Sequence, residues 1–217
     1  MAVGELGDLP GPPAVRALTI ERGDVLSPPA PPRSVDPLGE PLARALDGDE
    51  DAFSEVWRLL HPPLLRYLRV RERDAADDIA AETWLHVVRD LHRFTGGPAE
   101  FRAWVFTLGR HRAIDAGRAR AARPSIPTAE VIDIGTAPSA EAAALERVDT
   151  EAAVRLVATL PPAQAEMVML RVVAGLSVAE VAAIVGKKPG TVAVGVHRAL
   201  KKLARTHEDR TTRGVSR

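Results

Sequence analysis

Apolar residues recur at helical spacing along most of this 217-residue chain, and no stretch carries a strong strand alternation in their place. AFSEVWRLLH puts Phe53, Val56, Trp57 and Leu60 on one face, and Leu64, Leu65 and Leu68 continue it past Pro62 and Pro63. DIAAETWLHVVRDL lines up Ile79, Thr83 with Trp84, and Val87 with Val88. The next run does the same through Phe101, Trp104, Val105, Leu108 and Ile114, after a loop spelled HRFTGGPAE. Helical spacing returns from about Leu145 to Leu160, restarts after Pro161 and Pro162, and ends near Gly175. A last helix, opened by Pro189, turns Val192, Val196, Leu200 and Leu203 inward. The fold class is all-α.

Breakers divide these helices into two domains joined by a flexible linker. Residues 1–44 hold nine of the eighteen prolines and read as a disordered leader, because SPPAPPRS can form neither a helix nor a central strand. Residues 45–123 form the first helical domain. PSIPTAEVIDIGTAPSAEA then has three prolines, an acidic bias and no periodic stripe, so 124–146 reads as the linker. Residues 147–206 form the second domain and 207–217 a flexible tail.

The formal net charge of zero hides a sorting into blocks. Asp74 to Glu82 carries four acids and no base, and Glu100 to Arg123 carries six arginines against two acids. Pro124 to Leu170 has seven acids against two arginines, and Arg171 to Arg205 has seven bases against one acid. There is no cysteine, which excludes disulfides and thiolate metal sites. No apolar run is long enough to span a membrane, and the first residues lack the basic start and apolar core of a signal peptide. The expected location is the cytoplasm.

In the second domain, SVAEVAAIVGKKPGTVAVGVHRALKKL reads as a DNA-binding helix-turn-helix, against the plainer reading of a helical hairpin whose basic face is only solvated. Ser177 with Glu180 forms a capping box and Gly186 a C-cap, and the basic helix follows. Lys187 and Lys188 lie where phosphates meet a helix N-terminus. GKKPGT is not a phosphate-binding loop, since it lacks G-x-x-x-x-G-K-[ST] and a preceding strand. In the first domain, Arg110, Arg112, Arg118 and Arg120 would project from a helix whose Phe101, Trp104, Val105 and Leu108 pack inward. Two basic helices on two units fit two separate contacts on one duplex. The acidic run alone is open to three readings: acid–base carboxylates, helix N-terminal acids, or a surface for a basic partner. The six histidines have no H-x-x-x-H spacing, and no metal site, cofactor or catalytic constellation is expected.

DAFSEVWRLLHPPLLRYL, DAADDIAAETWLHVVRDLHRF and FRAWVFTLGRHRAIDAGRAR resemble region 2 of the extracytoplasmic-function (ECF) class of sigma factors of the sigma-70 family. LPPAQAEMVMLRVVAGLSVAEVAAIVGKKPGTVAVGVHRALKKL resembles region 4 of that class. The resemblance implies a subunit that directs core RNA polymerase to promoters and assists their opening, and that is not an enzyme. Its alternative is a helix-turn-helix regulator that does not engage polymerase. Asp77, Asp78 and Glu82 would dock on core polymerase. His92, Arg93, Phe94, Arg110, His111, Arg112 and Arg118 would serve the −10 element and promoter melting. Lys187, Lys188, Thr191, His197, Arg198, Lys201 and Lys202 would meet the −35 element. The implied partners are bacterial core RNA polymerase, promoter DNA and an anti-sigma factor. The chain departs from the family at His111, where Asn is usual, and at Ala193, Val194 and Gly195. Those three replace a polar, basic triplet on or near the expected DNA side, which weakens base readout.

Overall fold

The computed structural model describes residues 36–122 and 152–215, with side chains described as far as residue 206. All regular structure among them is helical. The first domain comprises α1 (Gly39–Leu46), α2 (Glu50–Arg71), α3 (Ala76–Asp90) and α4 (Pro98–Ala121). The second comprises a helical turn at 152–157 (α5), α6 (Pro162–Val168), α7 (Val178–Val185) and α8 (Pro189–Val215). Residues 1–35 and 123–151, which include most of the expected leader and the whole expected linker, lie outside the described residues.

Two boundaries shift. α1 lies largely within the segment read as leader, and its Leu38, Leu42 and Ala45 are buried against the domain. Pro41 falls in the first turn of α1, where a missing N–H costs nothing, so proline content does not exclude a helix there. At the other end, α8 continues to Val215, through the segment read as a tail.

α2 starts at an Asp49 cap, whose carboxylate accepts from the Ala52 N–H at 2.9 Å. It runs unbroken through Pro62 and Pro63. The two carbonyls those prolines cannot serve belong to Arg58 and Leu59, both exposed residues on the solvent side of the helix. α4 crosses α2 closely because Gly109 presents no Cβ: one built there would sit 2.9 Å from Leu64 Cδ1. The core between these helices is aromatic. Phe94 stacks on Trp104, Phe101 meets both edge-on, and Tyr67 packs against Phe106.

In the second domain α6 passes into a π-helical turn, Met169–Val173. The Arg171 guanidinium holds the end of that turn by donating to the Leu176 carbonyl at 3.2 Å. Leu170, Val181, Val192 and Val196 are buried, and Ala199 is packed with Leu160, Ala165 and Val168. Leu200, read as inward, is 42% exposed, and Ala199 fills that role. Trp57 and Val88 are likewise on the surface, at 40% and 55% exposure. Each lies beside a residue that takes the core position, Val56 and Val87. Adjacent residues are turned about 100° apart on a helix, and at these two places Val56 and Val87 lie nearer the middle of the buried stripe while Trp57 and Val88 fall at its edge.

The two domains touch. α2 packs on α6 and its π turn, and α4 meets α7.

Candidate nucleic-acid interface

Three surfaces carry the residues singled out by sequence. The first is the outer face of α3. Asp77 and Asp78 occupy its first turn, favourable to the helix dipole, and both are exposed with Glu82. Asp77 has a loose neighbour in Arg69 at 3.8 Å. Asp78 and Glu82 form no ion pair among the described residues. Leu85, 71% exposed, follows at i, i+4, i+7 from Asp78 and Glu82, with Val88 beside it. Sequence reasoning missed Leu85. The signal was present, since the stripe that buries Ile79, Trp84 and Val87 leaves Leu85 on the opposite side. No metal-holding group of three or more His, Asp or Glu side chains occurs among the described residues.

The second surface is the 91–97 loop with α4. His92 and Arg93 are exposed. Phe94 is not. It is 9% exposed, 5.3 Å from the Trp104 ring and 5.0 Å from that of Phe101. The loop that carries it is fixed by Gly96, at φ 154°, where a Cβ would lie 3.0 Å from Phe94 Cζ. The Gly97 N–H donates to the Glu100 carboxylate at 3.1 Å. Phe94 is therefore an anchor of the loop rather than an exposed base contact.

The arginines of α4 divide in the same way. Arg118 is exposed, with only a 3.5 Å contact to Asp115, and His111 is half-buried. Arg110 and Arg112, read as projecting outward, are engaged internally. The Arg112 guanidinium donates to His86 Nδ1 at 3.0 Å, and His86 Nε2 lies 2.9 Å from Asp90 Oδ2. Burial, with Arg89 and then Arg112 beside it, pushes the His86 imidazole below its ordinary value against the pull of Asp90. A guanidinium can only donate, so Nδ1 accepts from Arg112 and Arg89, which leaves Nε2–H to donate to Asp90. His86, unremarked in sequence, sets the direction of Arg112. Arg110 points the other way, its Nε 2.8 Å from Glu166 Oε1 in the second domain.

The third surface is the helix-turn-helix, α7 and α8. Ser177 Oγ accepts from the Glu180 N–H at 3.2 Å, and the Glu180 carboxylate accepts from the Ser177 N–H at 2.6 Å, the reciprocal box read from sequence. Gly186 closes α7 at φ 68° and Pro189 opens α8, as its position implied. Lys187, Lys188, Thr191, His197, Arg198, Lys201 and Lys202 are all exposed. A cleft of about 510 Å³ separates the start of α6 from the start of α8, with Gln164, Met167, Thr191, Val194 and Arg198 among its walls. Ala193 and Val194 face out as expected of a reading surface, but Gly195 does not. A Cβ on Gly195 would lie 2.7 Å from Met167 Cε. The position faces Met167 of α6, so its missing side chain takes no donor away from the DNA side.

Two family descriptions match the chain, "Sigma-70 region 2" over residues 51–123 and "Sigma-70, region 4" over residues 150–203. The ECF RNA polymerase sigma factor BldN of Streptomyces coelicolor is 34% identical over 173 residues, which cover 78% of this chain and 66% of BldN. The ECF sigma factor SigD of Mycobacterium tuberculosis is 35% identical over 169 residues, 75% of this chain and 80% of SigD. Among solved structures, CnrH in complex with the cytosolic domain of CnrY shares the fold. Its TM-score is 0.53 at 21% identity, covering 80% of this chain and 99% of that one.

Proposed function

The chain belongs to the ECF class of the sigma-70 family of RNA polymerase sigma factors, and from that premise we propose how its three surfaces divide the work of promoter recognition. Regions 2 and 4, in that order on one chain, carry the reading. A sigma factor directs core polymerase to promoters and has no polymerisation chemistry of its own.

The α3 face docks on core polymerase. Asp78 and Glu82 offer unpaired carboxylates to a basic partner, and Leu85 and Val88 supply an apolar centre beside them. An apolar core with a charged margin is the ordinary anatomy of a specific interface. His92, Arg93 and Arg118, with Arg110, His111 and Arg112, serve the −10 element and the opened strand. α8 meets the −35 element through Lys187, Lys188, Thr191, His197, Arg198, Lys201 and Lys202. With Ala193 and Val194 outward, that contact leans on phosphate charge more than on base edges. Such work places the protein in the cytoplasm. An anti-sigma factor is a further partner, by analogy with the sigma factor RpoE of Bartonella quintana, solved in complex with the anti-sigma factor NepR.

The test is a titration of labelled full-length protein against core polymerase. Asp78→Lys combined with Leu85→Ala is expected to weaken binding on the order of tenfold or more, with helical content unchanged. Unchanged affinity would favour a DNA-binding regulator that does not engage polymerase.

A further inference from the structure

Glu166 is the most heavily contacted buried carboxylate among the described residues. It lies on α6 of the second domain and is 8% exposed. Its Oε1 is 2.5 Å from Arg71 Nη1, 2.8 Å from Arg110 Nε and 3.1 Å from the Tyr67 hydroxyl. All three donors belong to the first domain. Burial, with the Glu166 charge next, pushes the Tyr67 phenol far above its ordinary value, so it stays a donor. Two guanidinium groups against one carboxylate leave the cluster with an excess positive charge. Arg71 Nε is also buried without a partner. Beside the cluster a void of about 270 Å³, bounded by Val70, Arg71, Leu160, Pro162 and Glu166, separates the end of α2 from the turn at 158–160 and α6. At this point a charged clasp and a void interrupt the apolar cluster that elsewhere runs from the first domain into the second.

The donor set is not specific to a carboxylate. Converging guanidinium N–H groups and a hydroxyl recognise phosphate by the same charge-assisted geometry. We propose that Glu166 is an internal latch. Its carboxylate fills an anion cradle of Arg71, Arg110 and Tyr67 when the domains are closed, and a DNA backbone phosphate takes its place when they separate. This rests on the reading of α4 as a promoter-facing helix. The latch explains why Arg110, read from sequence as projecting, is turned away from solvent. In the closed form the second domain and DNA compete for one site, so DNA binding favours separation and separation favours DNA binding.

The experiment compares full-length wild type with Glu166→Gln, which keeps the side-chain shape and removes the charge. The chain has no cysteine, so Asp51→Cys and Ala204→Cys, both exposed, place one dye on each domain. Energy transfer reports separation, and anisotropy of a short random-sequence duplex reports backbone binding. Glu166→Gln is expected to lower transfer and to raise duplex affinity about tenfold. The charge-matched control Glu50→Gln changes neither. Arg71→Gln with Arg110→Gln, added to Glu166→Gln, abolishes the gain. Tyr67→Phe, which removes one donor and no charge, gives a smaller opening and serves if Glu166→Gln fails to fold. Unchanged transfer in Glu166→Gln, or in Tyr67→Phe in that case, overturns the latch. A gain that survives removal of both arginines, or opening with no gain at all, overturns the phosphate cradle. Core-polymerase titration of the wild type reads the functional assignment separately, because neither transfer nor duplex binding depends on it.

Discussion

All eight aromatic residues lie between Phe53 and Phe106, in the first domain, and the second domain has none. The cations divide too. In the first domain Arg102 reaches Asp36 at 3.0 Å, Arg110 reaches Glu166, Arg112 reaches His86 and Arg120 pairs with Glu72. In the second, Lys187, Lys188, Arg198, Lys201 and Lys202 are exposed with no ion pair among the described residues. In the first domain these four arginines are held by carboxylate or imidazole partners, beside a stack of rings. The other presents these five cations unpaired on the helix-turn-helix surface, over a scaffold of small and aliphatic residues. A fixed guanidinium has a direction, which suits a stereospecific contact. A free ammonium has only a charge, which suits attraction to a phosphate array.

The largest effect that tests this contrast is at Phe94. If its ring is part of the fixed stack, Phe94→Ala costs about 3–5 kcal/mol of stability. Arg93→Ala, one residue away and exposed, changes stability by no more than about 0.5 kcal/mol. Guanidinium chloride unfolding of the two variants measures the difference. Permanganate reactivity at a promoter then separates the roles, because Arg93→Ala is expected to impair opening in a fully folded protein. A Phe94→Ala chain as stable as wild type would place the ring outside the core.

The same loop shows how far the sequence can be read. Helix boundaries with local chemistry are legible: the Ser177–Glu180 box, Gly186 and Pro189 each depend only on neighbours a few residues away. The helix-turn-helix surface follows, since an exposed cation needs no partner to be exposed. What depends on distant partners is not legible. Phe94 sits in a glycine-bearing loop, and nothing within that loop announces that Trp104 and Phe101 will close over it. Arg110 looks free in sequence because its partner, Glu166, is 56 positions away. α1 is hidden by proline content, although Leu38, Leu42 and Ala45 already carry a helical stripe.

The next effect concerns the free cations. Lys187→Ala with Lys188→Ala, assayed in full-length protein against a −35 duplex, is expected to reduce the slope of log affinity against log salt by about 1.8, at about 0.9 for each phosphate no longer neutralised. Over a fourfold change in salt that is about a tenfold change in affinity ratio. Arg112→Ala, assayed in the same way against a −10 duplex, is expected to change the slope by less than a single lysine does on the −35 duplex, because its guanidinium is held by His86. A larger slope change from Arg112 than from either lysine would reverse the distinction between fixed and free cations.

The smallest expected effect compares one glycine from each domain. Gly109 and Gly195 both lie inside helices, and both would place a Cβ too close to a neighbour, 2.9 Å from Leu64 Cδ1 and 2.7 Å from Met167 Cε. By distance alone Gly195 is the tighter site. The surroundings decide otherwise. Leu64 is fully buried, and Thr83 Oγ1 and Leu68 Cδ2 stand within 3.8 Å of the same Cβ, so the branched side chain has nowhere to go. Gly109→Ala is expected to cost about 1–3 kcal/mol from overpacking, partly offset by about 1 kcal/mol of helix propensity. Met167 is buried too, at 4% exposure, but it is unbranched, the clash is with its terminal methyl, and the residue lines the cleft between α6 and α8. That methyl can swing into open space, so the propensity gain survives and Gly195→Ala is expected to leave stability unchanged or raise it by a few tenths of a kcal/mol, well under about 1 kcal/mol. Thermal unfolding of the two variants decides the matter. A Gly195→Ala protein destabilised as much as Gly109→Ala would mean that the α6–α8 crossing is packed as rigidly as the aromatic core, and the second domain would then be as fixed as the first.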